Sequence, residues 1–389
     1  MGKFNTNIEN LQPSKTVTLM SKIQEMQKTD DSLLNFTAGE PDFATPMKVC
    51  DEAYRQLKAG YTHYTPAAGL KELREAIAQK LQSENGAPFT ADQILVTPGG
   101  KFAVYLAIQA ILNPGDEAIW LTPGWVSYPS IIESGGGVPV AVHLKWDEGY
   151  AITEEALEAA VSDRTKLLII NYPNNPTGKT LSPADREAVA AFMRRHPDVW
   201  LLSDEIYETI VYPGFEAVSM ASCPDLAERV IIVNGFSKSS AMTGWRIGYL
   251  ACCSELCRIV MKLFQHTMSC TSGFVQKAAL VSMSCREEME EMRLAYERRA
   301  KILYEGIKDL PHVGMQRPEG AFYAWVKFDL GMDEDTICSR LLDEAKIAGV
   351  PGYAYGEEEK TCVRFSFAAS EEDIKEMLVR LEGWLKTVG

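Results

Sequence analysis

The sequence predicts an α/β protein with a large domain built on a mostly parallel central sheet flanked by helices, followed by a smaller α+β domain. Three observations lead there. Strands and helices alternate from about Leu70 onward. Runs such as "LLII" and "VIIV" are apolar on both faces, as strands covered by helices on both sides must be. After about residue 285 the alternation gives way to one long charged helix and a few more strands.

Taken in order, the first 45 residues are polar and irregular apart from a helix near "TLMSKIQEMQK". Too short to fold alone, they are expected to pack as an arm on the small domain or on a partner subunit. The large domain is placed at 46–284. There "GLKELREAIAQKLQ" has helical spacing, "QILVT" is a strand, "KFAVYLAIQAIL" a helix and "EAIWL" a strand. The series continues with "VPVAVHL", the helix "ITEEALEAAV" and "KLLIINY". A helix opened by Ser182, with Pro183 at its first position and Asp185 in its first turn, leads to "VWLLSDE" and "RVIIVNG". The small domain, 285–389, holds the helix "REEMEEMRLAYERRAKILYEGI", strands "AFYAWV" and "CVRFSF", and a closing helix from Ser370. The acidic "GEEEK" at 356–360 reads as a solvated loop.

Composition narrows the function. At 46% hydrophobic and 24% charged residues, with no apolar run near the roughly 20 residues of a membrane helix, the chain reads as a globular, non-membrane protein. A formal charge of -14 repels phosphate backbones, so nucleic acid is not an expected partner. Nine cysteines without regular spacing suit free thiols in a reducing compartment. No C-x-x-C occurs and the five histidines are scattered, so no metal site is expected. The start "MGKFNTNIEN" has no apolar signal core, which leaves a cytoplasmic location as the expectation. It fits the loose acylation pattern of Gly2 with Thr6, a pattern too permissive to carry weight.

Three familiar motifs fail on inspection. "GKT" at 178–180 would need a glycine where Pro173 stands, and proline has no amide to offer a phosphate. "GFSKS" from Gly235 would be a nucleophile elbow only if Ser239 were glycine. "GGG" at 135–137 leads to Val140 where a dinucleotide fingerprint needs its last glycine.

What remains is a set of segments that each follow a strand. "TPGGK" puts Gly99 and Gly100 between a strand and a helix, where free amides favour an anion. "NYPNNPTG", "SDEIYE" and "FSKSSAMTGWRIG" follow strands of the same sheet, so all four could line one crevice at the strands' carboxyl ends.

From "AGEPDF" at 38–43 to "VRFSF" at 363–367, these segments in this order resemble the fold type I, class I pyridoxal-phosphate aminotransferases. "GGK" and "WVSYP" further resemble the bacterial aspartate aminotransferase subgroup. The resemblance implies pyridoxal 5′-phosphate as cofactor and a homodimer with shared active sites.

The roles that follow agree with the chemistry of each residue. Lys238 would form a Schiff base with an aldehyde cofactor and then serve as general base, given a pKa lowered by burial and nearby cations. Asp204, ending an apolar strand, needs a positive partner, and a protonated pyridine nitrogen is one; a helix cap or ordinary ion pair is the competing reading. Tyr207 and Asn175 would hydrogen-bond the cofactor's phenolic oxygen. Arg246, Ser237 and the backbone of Gly99, Gly100 and Lys101 would hold its phosphate, with Tyr64 reaching in from the other subunit. Trp125 would stack on the ring. Arg364, set among apolar residues, would grip the substrate α-carboxylate beside Gly39, against the competing reading of a structural salt bridge. Asn175 and Trp125 would also contact substrate. No metal is implied.

Some positions depart from the subgroup. Lys101 is followed by Phe102 where the subgroup often has glutamine, Gly124 replaces a bulkier residue before Trp125, and position 235 is glycine where some relatives place a phosphate-binding serine. Lys101 would meet the distal carboxylate of aspartate or glutamate, or else stay a solvated lysine at a helix start. The expected reaction moves an amino group from an L-amino acid, aspartate favoured, to a 2-oxo acid, 2-oxoglutarate being the expected acceptor, in a ping-pong cycle. Alanine, methionine or aromatic donors, a β-eliminating lyase or cyclising synthase, and a non-catalytic ligand sensor are the alternatives.

Overall fold

The computed structural model describes residues 4–356 and 361–388. Gly2 and residues 357–360 of the acidic loop lie outside that range.

In chain order the strands are β1 (Leu34–Asn35), β2 (Ile94–Thr97), β3 (Glu117–Thr122), β4 (Val138–His143), β5 (Thr165–Asn171), β6 (Trp200–Asp204) and β7 (Val230–Gly235). They continue with β8 (Gly248–Ala251), β9 (Val313–Met315), β10 (Tyr323–Phe328), β11 (Ile347–Ala348), β12 (Val350–Pro351) and β13 (Cys362–Ser366). A seven-stranded sheet runs β2-β8-β7-β6-β5-β3-β4. β4, β3, β5, β6 and β7 pair parallel, and β8 is antiparallel to both neighbours. The expected mostly parallel α/β sheet is therefore present.

Alternation along the strands explains why helices must cover both faces. Ile119, Leu121, Leu168 and Ile170 point into one core with Leu73, Ile77, Leu81, Val189 and Phe192 from helices 71–85 and 183–195. Their neighbours Ala118, Trp120, Leu167 and Ile169 point the other way, against Leu106, Ala107, Val260 and Phe264 from helices 100–111 and 254–267. Each fully buried leucine, isoleucine or valine among them contributes about 1.5–3 kcal/mol, so a polar substitution in "LLII" would be felt on one face or the other. Helix Pro183–Arg195 starts as its sequence dictates: Ser182 Oγ accepts from the Asp185 amide at 3.1 Å while Asp185 Oδ2 accepts from the Ser182 amide at 3.0 Å.

A second sheet runs β12-β13-β10-β9, all antiparallel. It packs with helices 286–307 and 371–388 through Tyr296, Leu303, Phe322, Val326, Phe365 and Trp384. The N-terminal arm joins this part of the molecule: β1 pairs parallel with β11, and Ile23 and Leu33 pack on Ala348.

Candidate active site

The carboxyl ends of β5, β6 and β7 and the turn after β2 open on one cavity of about 460 Å³. Gly39, Gly100, Lys101, Trp125, Asn175, Asp204, Tyr207, Ser237, Lys238, Arg246 and Arg364 all line it, so the structure gathers nearly every residue singled out from the sequence. Gly99 and Tyr64, the latter 91% exposed, are not among the lining residues.

Lys238 leaves the end of β7 and its Nζ donates to the Gly39 carbonyl at 2.5 Å. Tyr207 and Phe322 set their rings 5.9 and 5.8 Å from the amine. Burial pushes the Lys238 pKa down to about 8; Arg364 and Arg246 add to the fall, while Glu40 and Asp204 oppose it. A sizeable neutral fraction therefore exists near neutral pH, as a base or nucleophile requires.

Asp204, 7% exposed, closes β6. Its Oδ2 accepts from Tyr128 Oη at 2.8 Å and its Oδ1 from the Ile206 amide at 3.3 Å. Burial outweighs these bonds and the Lys238 charge, raising the carboxyl to about 6. Asn171 fixes the neighbourhood: its Nδ2 donates to the Asp204 carbonyl at 2.9 Å and its Oδ1 accepts from the Asn175 amide at 3.1 Å.

Arg364 comes from the centre of β13, 3% exposed. Nη1 donates to Asn175 Oδ1 at 3.0 Å and Nη2 to the Thr37 carbonyl at 2.7 Å. The guanidinium lies 4.4 Å from the Tyr323 ring centre and 5.1 Å from that of Tyr355, and Nε has no hydrogen-bond partner. Among the described residues no carboxylate pairs with it. The structural salt bridge considered from the sequence is thus not what holds Arg364; it is a buried cation with capacity to spare.

Arg246 adopts φ +55° and reaches back to the turn after β2, donating to the Thr243 and Pro98 carbonyls at 2.8 and 3.4 Å. Gly99 makes that approach possible, since a Cβ there would stand 2.5 Å from Arg246 Nη2. Lys101 places Nζ 5.0 Å from the Trp125 ring centre, and burial together with Arg246 lowers its pKa. The two unusual glycines have packing reasons. A side chain at Gly124 would collide with the Leu121 carbonyl, and one at Gly235 would meet Gly248 Cα at 2.8 Å across the β7–β8 pair.

Several lining residues were not anticipated: Asn171, Tyr323, Tyr355, and Thr16 and Met20 of helix Lys15–Gln27, and neither was Tyr128, which reaches the site through its bond to Asp204. Tyr323 Oη hydrogen-bonds Tyr207 Oη at 2.8 Å. Tyr128 and Asn171 stand inside quoted motifs, and a buried Asp204 carboxylate in need of donors was the available signal for Tyr128. Nothing in the sequence brings the arm or Tyr355 to the cavity; packing does.

An amine of lowered pKa, a buried carboxylate and two guanidinium groups around one cavity define a lysine-centred site for an anionic small molecule. The chain belongs to the class I and II aminotransferase family, whose profile matches residues 31–381. It is 38% identical to a probable aspartate/prephenate aminotransferase of Aquifex aeolicus, covering 98% of each chain. The aspartate aminotransferase of Rhizobium meliloti superposes with a TM-score of 0.95 at 34% identity, covering 100% of both chains. That of Thermus thermophilus, solved with maleate, gives 0.93 at 39% identity over 98% of this chain and 100% of the other. The protein is a pyridoxal-phosphate-dependent transaminase acting on amino and 2-oxo acids. The residues present fit that cofactor: an amine of lowered pKa, an acid with no cation bonded to it and a guanidinium nitrogen without a partner among the described residues, and the Arg246 guanidinium drawn up against Gly99 at a helix N-terminus.

Proposed function

We propose that the enzyme moves the amino group of an L-amino acid, aspartate favoured, to a 2-oxo acid, 2-oxoglutarate being the acceptor. One observation carries the preference: Lys101 and Arg364 line the same cavity, and among the described residues neither has a carboxylate within ion-pair distance. Two unpaired cations suit a substrate with two carboxylates. The names of the relatives above support the same choice.

Pyridoxal phosphate, when bound, supplies an aldehyde that takes up amines and a protonated ring that stores the electron pair left at a substrate Cα. Lys238 Nζ would anchor it and, once released, carry a proton to and from the substrate Cα. Asp204 would hold the proton on the ring nitrogen, with Tyr128 Oη fixing its carboxylate. Asn175 Oδ1 is taken by Arg364, which leaves Nδ2 to donate, with Tyr207 Oη, to the phenolic oxygen. Arg246, Ser237 and the amides of Gly99, Gly100 and Lys101 would take the phosphate, Trp125 would cover the ring, and Gly39 would border the carboxylate seat at Arg364.

We also infer a homodimer, which would bring Tyr64 to the partner's phosphate site, and a reducing, cytoplasmic setting in keeping with nine cysteines outside any disulfide. The division into 1–45, 46–284 and 285–389 is supported by the pairing of the arm with β11 and by the separate core behind the four-stranded sheet.

The test is a panel of amino acids scored by the rate at which each bleaches the cofactor's visible absorbance. Aspartate and glutamate should outpace alanine, methionine and the aromatics by at least about tenfold, which is about 1.4 kcal/mol of transition-state discrimination. Lys101→Ala should erase the difference and Lys238→Ala should abolish every reaction in the panel. Equal rates across the panel would refute the acidic preference while leaving the transaminase intact.

A further inference from the structure

Tyr355 closes the short helical turn Gly352–Tyr355 and is fully buried, yet it lines the active cavity. Its backbone is pinned: the Gly124 amide donates to its carbonyl at 2.9 Å, tying the turn to the one that carries Trp125. Its ring meets Trp325 edge-on at 5.7 Å and has the Arg364 guanidinium 5.1 Å from its centre. The hydroxyl has no hydrogen-bond partner among the described residues. Two nearby polar groups are engaged elsewhere, Trp325 Nε1 with Tyr150 Oη at 2.8 Å and Tyr323 Oη with Tyr207 Oη at 2.8 Å. Burial pushes the phenol pKa upward, so the group keeps its proton and can donate it.

An unsatisfied buried hydroxyl is destabilising, and proteins rarely keep one without a use. Here a second unsatisfied donor, Arg364 Nε, belongs to the guanidinium that lies against the ring of the first. Both call for an acceptor, and a carboxylate has enough lone pairs to accept from both.

We propose that Tyr355 is a substrate-binding residue whose hydroxyl donates to the carboxylate seated by Arg364. The inference rests on the assignment of Arg364 to that carboxylate. Losing such a hydrogen bond to a charged group weakens binding roughly tenfold or more.

The experiment compares holoenzyme with Tyr355→Phe and Arg364→Lys, measuring the Kd of maleate by calorimetry, the Kd of pyridoxal phosphate, the KM for aspartate and the Tm. In Tyr355→Phe the maleate Kd and aspartate KM should rise about tenfold with cofactor affinity unchanged. Its Tm should hold or rise by a few degrees, because an unpaired buried hydroxyl has been removed. A maleate Kd that is unchanged, or that rises only together with the cofactor Kd, overturns the proposal. If Arg364→Lys also leaves maleate binding unchanged, the seat itself has been wrongly assigned; if Arg364→Lys weakens it and Tyr355→Phe does not, only the role of Tyr355 falls.

Discussion

At Asp204 burial wins over hydrogen bonding, and the consequence is a pH dependence of known sign. A carboxyl whose folded pKa, about 6, lies above its unfolded value of 3.8 binds its proton more tightly when folded. Stability contributed by the protonated acid is full below about 4 and is lost as pH rises through 6. The shift corresponds to roughly 3 kcal/mol. Lys238 works the other way: its folded pKa of about 8 lies below the unfolded 10.5, so its burial penalty is present below 8 and relieved toward 10.5. Thermal denaturation of the cofactor-free protein from pH 4 to 7 should show wild type losing stability relative to Asp204→Asn. A pH-independent difference between the two would contradict the burial argument. The need of Asp204 for a positive partner was legible in "VWLLSD"; its bond to Tyr128, 76 positions earlier in the chain, was not.

At the scale of elements, the turn between β2 and helix Gly100–Ile111 shows what a single glycine does. Gly99 has φ +96° and leaves the space that Arg246 Nη2 occupies. Gly99→Ala is strained in its backbone and crowds the guanidinium. Cofactor affinity should fall at least about tenfold, read by fluorescence titration of the cofactor-free protein, with the helix itself retained by circular dichroism. Wild-type affinity would mean that Arg246 does not need this approach. A second clasp joins distant elements: Arg299 of helix 286–307 grips Asp42 with two bonds at 2.8 and 2.9 Å, which steadies the segment whose Gly39 carbonyl receives Lys238. Periodicity revealed the long helices and both-face strands because they repeat one pattern over many residues. It did not reveal β8, only Gly248–Ala251 and dependent on pairing with β2 and β7 on either side. Nor did it bound the helix expected in "ITEEALEAAV", which Thr153 caps and which spans only Glu154–Glu158.

Across the whole molecule, one face of helix Met47–Lys58 exposes Met47, Tyr54 and Leu57, followed in the chain by Tyr64. A stripe of large apolar side chains at helical spacing left to water suits an interface, and the homodimer proposed above would cover it with a second copy of the chain. If the proposed homodimer uses this face, replacing Met47 and Tyr54 by glutamate should yield monomers in sedimentation experiments and weaken cofactor binding together with it, since the proposed reach of Tyr64 into the partner's site would be lost. A dimer that survives the double substitution would place the interface elsewhere.

The sequence by itself determined the α/β class, the order of most strands and helices of the large domain, and the candidates for the reactive lysine, acid and arginines. Those properties depend on local pattern: period-2 and period-3.6 burial, caps, and the few residue types able to do the chemistry. The tertiary structure decided how these groups are tuned and completed. The lowered pKa of Lys238, the raised one of Asp204, an Arg364 Nε without a partner among the described residues and the arrival of Tyr355 and the arm at the cavity all arise from contacts between residues far apart in the chain. Electric fields and desolvation depend on what surrounds a group in space, and no local stretch of sequence carries that information.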